Sequence, residues 1–223
     1  MITWRVKQSS RKPVGISDLR LGASVHSADG RRIGELARVI VEEDGFDLRA
    51  IVIREDVRFS GRYLAPGSWY LTDELIVPMG TVAAADRQDV MLNISAAEVR
   101  RQPAYLAHQY RSLSRTEVIQ QGLAVATGGP AMPGLTETAN KAPGEIAIDG
   151  GENVMLGRTG RKLGHVRDVL IDDGEVIGIV MRPEGFFEHD VLLPVRFLDR
   201  SDDMALFAQL DEADLEHLQP FPA

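Results

Sequence analysis

Residues 157–182 read GRTGRKLGHVRDVLIDDGEVIGIVMR. Glycine and positive charge ahead of an apolar run raise the prospect of a phosphate-cradling loop. A Walker loop needs Gly-x4-Gly-Lys followed by Ser or Thr, placed ahead of a helix, so that backbone amides and a lysine surround the phosphates. Here Arg161 follows Gly160, no Ser or Thr follows Lys162, and the residues beyond read as strand. The stretch instead has a twin. GRRIGELARVIV (30–41) aligns with GRKLGHVRDVLI (160–171). Gly30/Gly160, Arg31/Arg161, Gly34/Gly164 and Val39/Val169 are identical, and most other pairs are conservative. The pairs that change character include Glu35/His165 and Arg38/Asp168. These are the places where two otherwise similar units are expected to differ in what they bind.

The echo continues down the chain. An acidic turn follows each block, EEDG (42–45) and DDG (172–174). Then come AIVIR (50–54) and GIVMR (178–182), LIVP (75–78) and VLLP (191–194), VMLNI (90–94) and MALFA (204–208). A short helix is expected at the end of each copy. Ser95 and Glu98 have capping-box spacing, Asp211 and Asp214 resemble it, and each run meets Gln-Pro, at 102–103 and 219–220. The β-rich runs at about 33–41, 48–54, 74–78 and 90–94 are too short and too closely spaced for βαβ crossovers. Five or six such strands in about 75 residues predict a small closed or nearly closed barrel. Gly34 and Gly164, just inside the first long strand, mark a bulge or sharp bend, which a small barrel needs.

The predicted organisation is therefore mainly β. A basic segment (1–19) precedes a first barrel-like domain (20–103). A helix and linker (104–148) lead to a second barrel-like domain (149–223). Within the connection, SRTEVIQQG (114–122) reads as a short helix, and ATGGPAMPGLTETANKAPGE (126–145) as a flexible, partly extended linker.

The run Val25-His26-Ser27-Ala28-Asp29-Gly30-Arg31-Arg32-Ile33-Gly34, with the strand, acidic turn and proline-ended strand after it, resembles the PRC-barrel domain. The resemblance recurs from Gly160 to Ile171 and covers about 20–103 and 150–221. It implies two β-barrels of about six strands, each with a short C-terminal helix. The family occurs in the cytoplasmic part of the photosynthetic reaction-centre H subunit. It also forms the C-terminal domain of a ribosome-maturation factor, where it contacts a ribosomal protein. It is generally regarded as a non-catalytic interaction module. This chain lacks the H subunit's transmembrane helix and the ribosome factor's separate N-terminal barrel, so neither specific role carries over.

Composition points the same way. The chain is 44% hydrophobic and 26% charged, as a globular protein is. With no cysteine, it has no disulfide, thiolate nucleophile or Cys-based zinc site. No signal-like apolar region opens the sequence, and no apolar run approaches membrane-spanning length, so a cytoplasmic location is expected. The net charge of −8 resides in the second half: residues 111–223 hold 10 Lys/Arg against 19 Asp/Glu. That disfavours broad nucleic-acid binding there. Arg5, Lys7, Arg11 and Lys12 form a basic tail that offers an anionic partner a contact. The five histidines show no metal-ligand spacing. Glu188-His189-Asp190 is the best local cluster, but neighbours on a strand face opposite ways. No enzyme, metal or cofactor is expected.

The copies differ most between their third and fourth strands. REDVRFSGRYLAPGSWYLTDE (54–74) stands where the second copy has only RPEGFFEHD (182–190). The insertion carries Arg58, Phe59, Arg62, Tyr63, Trp69 and Tyr70, and Phe186 and Phe187 hold the matching place. Arg and aromatic residues are enriched at binding hot spots, which makes these the candidate partner-binding residues. The competing reading is that the rings cover an open barrel end. The function expected is a non-catalytic protein-interaction or assembly module that binds a protein partner or itself. The alternative is an accessory factor in RNA processing or ribosome maturation, with RNA held by the basic tail and the insertion's arginines.

Overall fold

The computed structural model describes residues 19–56, 59, 74–110, 135–157, 159–172, 174–184, 189–202, 205–210, 214 and 218–221. Its architecture is two sheets of mixed strands with almost no helix. In the first, β1 (Ser24–His26), β2 (Arg32–Glu42), β3 (Leu48–Glu55), β4 (Glu74–Pro78), β5 (Val82–Ala85) and β6 (Asp89–Leu92) run in the order β4-β3-β2-β1-β6-β5. After β7 (Leu106–Tyr110), β8 (Leu135–Ala139) and β9 (Glu145–Asp149) come the strands of the second sheet. These are β10 (Asn153–Leu156), β11 (Arg161–Asp172), β12 (Glu175–Pro183), β13 (Val191–Pro194), β14 (Leu198–Asp202), β15 (Ala205–Ala208) and β16 (Gln219–Pro220). Their order is β14-β15-β10-β11-β12-β13-β16. In both sheets a parallel pair, β1 with β6 and β10 with β15, lies among antiparallel neighbours.

The sequence echo is an echo of register. Gly34 stands opposite Val25 and Glu55, and Gly164 opposite Val154 and Pro183. A bulge falls between Val25 and His26, and another between Val154 and Met155. On the other edge, the ladder skips a residue between Leu36 and Arg38, and between Val166 and Asp168. Outside the ladders the match holds too: Gly22 N donates to Leu36 O at 2.8 Å, and Gly151 N to Val166 O at 2.8 Å. Gly34 and Gly164 have no left-handed φ. They are needed because the neighbouring strand passes too close for a side chain: a Cβ on Gly34 would lie 1.9 Å from the Arg54 carbonyl oxygen, and on Gly164 2.1 Å from that of Arg182.

The apolar runs are buried on alternate faces. Val39, Val41, Ile51 and Ile53 enter the main core, while Ile40, Ala50 and Val52 pack on the other face under Tyr105 and Ala147. A strand buried on both faces has no polar alternation, which is why AIVI reads as a continuous run. The main core is one cluster containing residues of both sheets, Ile51 and Val77 together with Val169, Ile179 and Leu206. In the second copy Val166, Val169 and Ile171 are core residues, but Leu170 is only half-buried. Its counterpart Ile40 is covered by Tyr105 and Ala147, two residues that belong to no repeat.

The expected helix after β6 is a single turn, α1 (Ala96–Val99). Its capping box forms: Glu98 Oε2 accepts from the Ser95 hydroxyl at 2.7 Å and the Ser95 amide at 2.8 Å. Those hydrogen bonds hold the Glu98 carboxyl below its usual range. The helix stops short of Gln102-Pro103, because Pro103 turns the chain alongside β4, where its carbonyl accepts from Ile76 N at 2.9 Å. For the second copy, Asp214 is described and Asp211 lies outside the described residues.

The connection holds more structure than its composition predicts. The helix expected at 114–122 lies outside the described residues, but β7 and β8 form a two-stranded ribbon, and β9 joins the first sheet. The physical reason for the second is an open edge. β2 has 11 residues and β1 only 3, so the second half of one β2 edge has no partner from its own repeat. β9 fills it, from Arg38↔Asp149 to Glu42↔Glu145, and buries Ile146 and Ile148 in the main core.

Candidate interaction surface

Of the positions that distinguish the twins, Arg38 and Asp168 serve contacts inside the molecule. Arg38 Nε donates to Glu74 Oε2 at 3.0 Å, its Nη1 pairs with Asp149, and its guanidinium lies 4.9 Å from the centroid of the Tyr105 ring. Burial by itself would lower the Arg38 pKa, but the Glu74 hydrogen bond and the Glu74 and Asp149 charges outweigh it and raise it. Asp168 accepts from Arg20 Nη1 at 3.1 Å and from Leu21 N at 3.0 Å. These two sites are reciprocal. Asp149 lies four residues ahead of β10 and Arg20 four ahead of β1. The segment before each repeat therefore docks on the long strand of the other repeat, and the ion pair is reversed in sign. The expectation that Arg38 and Asp168 serve separate outside partners is corrected accordingly: both are engaged within the chain. The hairpin turns also meet, with Leu48 N donating to Gly174 O at 3.1 Å and Val176 N to Phe46 O at 3.3 Å. A double-mutant cycle of Arg20→Gln and Asp168→Asn, read by urea midpoint, should return a coupling of about 1 kcal/mol, since the pair is partly buried. Strict additivity would show that the contact contributes nothing to holding the repeats together.

Of the candidate partner-binding residues, only Phe59 is described. It is 5% exposed and part of the main core. Arg100, just beyond α1, stacks 4.5 Å from its ring centroid and donates to its carbonyl at 2.9 Å. Phe59 thus fills a core position and presents no ring for a partner, a correction to its reading as a surface residue. Arg58, Arg62, Tyr63, Trp69, Tyr70, Phe186 and Phe187 lie outside the described residues, as does the basic tail with Arg5, Lys7, Arg11 and Lys12.

A surface the sequence did not flag lies where the two repeats meet. An open groove of about 660 Å³ is lined by Arg20, Leu21 and Arg87 from the first and by Arg167, Asp168, Val180, Asp190 and Phe221 from the second. Each part has a local cause. Arg87 sits at the tip of the β5–β6 turn, which Asp86 fixes by accepting from Gln88 N at 2.9 Å and Asp89 N at 2.8 Å. Arg167 is the residue skipped by the β11–β12 ladder, and such a bulge breaks alternation, so the adjacent Arg167 and Asp168 both line the groove. Asp190 accepts from Arg182 at 2.7 and 3.2 Å, and its carbonyl holds Phe221 N at 2.7 Å. The hydrogen bond and charge of Asp190 raise the Arg182 pKa. No single stretch of sequence contains these residues, so no motif could have pointed to them.

Among the described residues no group of His, Asp and Glu is placed to hold a metal ion, and no helix is long and apolar enough to cross a membrane. Residues 151–212 match the family model of the PRC-barrel domain. That span runs from just before β10 to just past β15. No curated protein matches the chain.

Proposed function

We propose that the chain is a tandem PRC-barrel protein that acts as a protein-interaction or assembly module and catalyses no reaction. The observation that carries this reading is the shared register: both sheets repeat the strand order, the bulges and the glycine contacts of a unit whose second copy matches the PRC-barrel domain. The reciprocal docking of the segments ahead of the two repeats supports a pair that works as one body rather than as beads on a tether. Arg58, Arg62, Tyr63, Trp69, Tyr70, Phe186 and Phe187 are the residues proposed to contact the partner, by the enrichment of Arg and aromatic residues at hot spots.

The test is capture of partners by the tagged full chain in extract of its native host, with oligomeric state read by light scattering. Trp69→Ser with Tyr70→Ser should weaken capture or self-association by about tenfold or more, the range of a lost hot spot. Unchanged capture and oligomeric state, with the fold intact by circular dichroism, would remove those residues from the surface. Recovery of RNA whose binding falls steeply with salt would favour a role in RNA processing instead.

A further inference from the structure

We propose that the groove between the repeats binds an acidic, partly apolar peptide segment of a protein partner, with Arg87 and Arg167 as its carboxylate receptors. This inference rests on the interaction-module reading. The charges that line the groove do not cancel. Asp168 is engaged by Arg20, and Asp190 by Arg182. Arg87 and Arg167 are both exposed and have no ion-pair or hydrogen-bond partner among the described residues. Two guanidiniums thus face one groove with their hydrogen-bonding forks unused. A guanidinium pairs with a carboxylate through two parallel hydrogen bonds, which a lysine cannot do.

The rest of the lining fits a peptide better than a nucleic acid. Leu21, Val180 and Phe221 supply apolar surface beside the arginines, room for one or two apolar side chains. The Phe221 ring is held in place, with Arg20 at 5.6 Å from its centroid. A continuous phosphate backbone would meet the carboxylates of Asp168 and Asp190 and only two unpaired cations. A volume of about 660 Å³ is the size of a few residues, not of a duplex. The bulge is the second observation: without it, Arg167 and Asp168 would point to opposite faces and the groove would lose one receptor. In the first repeat the skipped residue is Ala37, so only one of the two long strands presents a charge there.

The experiment uses the full chain and a fluorescein-labelled peptide of about ten residues alternating Glu with Leu. Its controls are the same peptide with Gln for Glu and a single-stranded oligouridylate. The acidic peptide should bind, by fluorescence anisotropy, at least tenfold more tightly than the Gln peptide and the oligouridylate. Arg87→Ala with Arg167→Ala should weaken it by about tenfold or more and leave the thermal midpoint unchanged, since both residues are exposed. Charge reversal to Glu at both positions should abolish it. No binding, equal binding of the Glu and Gln peptides, tighter binding of the oligouridylate, or binding unaffected by the variants would each overturn the proposal. Failure here is separable from failure of the interaction-module reading. A partner captured equally by wild type and by the arginine variant leaves that reading intact and removes only the groove.

Discussion

Replacing Gly34 with alanine is expected to destabilise the protein by about 3 kcal/mol, the upper end of the usual overpacking range. The same holds for Gly164→Ala. At both positions the obstacle is backbone: a Cβ would sit 1.9 Å from the Arg54 oxygen and 2.1 Å from the Arg182 oxygen. A flexible side chain can swing away from an added methyl, but a carbonyl in a ladder cannot move without pulling β2 from β3, or β11 from β12. Neither glycine has a left-handed φ, so the cost is steric and asparagine, which tolerates that region, should do no better than alanine. Gly80→Ala is the control, because a Cβ there meets nothing within 4 Å. The measurement is the urea midpoint by far-UV circular dichroism. If Gly34→Ala and Gly80→Ala shift it equally, the close strand approach is not what demands glycine.

Replacing Ile148 with alanine should cost about 2–5 kcal/mol, as for other fully buried aliphatic residues. Ile148 is 0% exposed and lies in the main core beside the residues of β2. Were residues 126–145 and their flank a free tether, the change would be nearly silent, within about 0.5 kcal/mol. The contrast between those outcomes is large enough for a single denaturation curve to decide. Ile51→Ala on β3, also 0% exposed, should cost a similar amount. Because one core cluster draws on both sheets, each variant should unfold in one transition rather than in two.

What was readable in the sequence was local. Among the described residues, the β-rich runs, the acidic turn at 43–45 and the capping box at Ser95 appear where their residues predict. So do the glycines, although their reason is a passing strand and not a bend by itself. What was unreadable depended on distant partners. EIAID (145–149) follows Pro143 and Gly144, and composition makes that neighbourhood a linker. Only the unpaired edge of β2, left open by a three-residue β1, makes it a strand. Phe59 stands in an insertion rich in Arg and aromatic residues, a pattern that reads equally as a binding patch or as a cover. At that one position the ring is buried, with Arg100 stacked on it, which depends on residues distant in sequence. The groove was invisible because its lining runs from Arg20 to Phe221, across nearly the whole chain.

The strands and the echo between the two halves of the chain were legible in the sequence alone, because hydrophobic period, turn glycines and prolines act over a few residues. The meeting of the repeats was decided by tertiary structure. β2 exposes an edge that its own repeat cannot cover, and β9, ahead of the second repeat, covers it; on β11 the segment ahead of the first repeat is held by the Asp168 side chain. The change of Arg38 into Asp168 between the twins reads, in sequence, as a divergence toward separate partners. In the folded chain it is a pair of complementary contacts, Arg38 with Asp149 and Asp168 with Arg20, that give the segment ahead of each repeat one matching place.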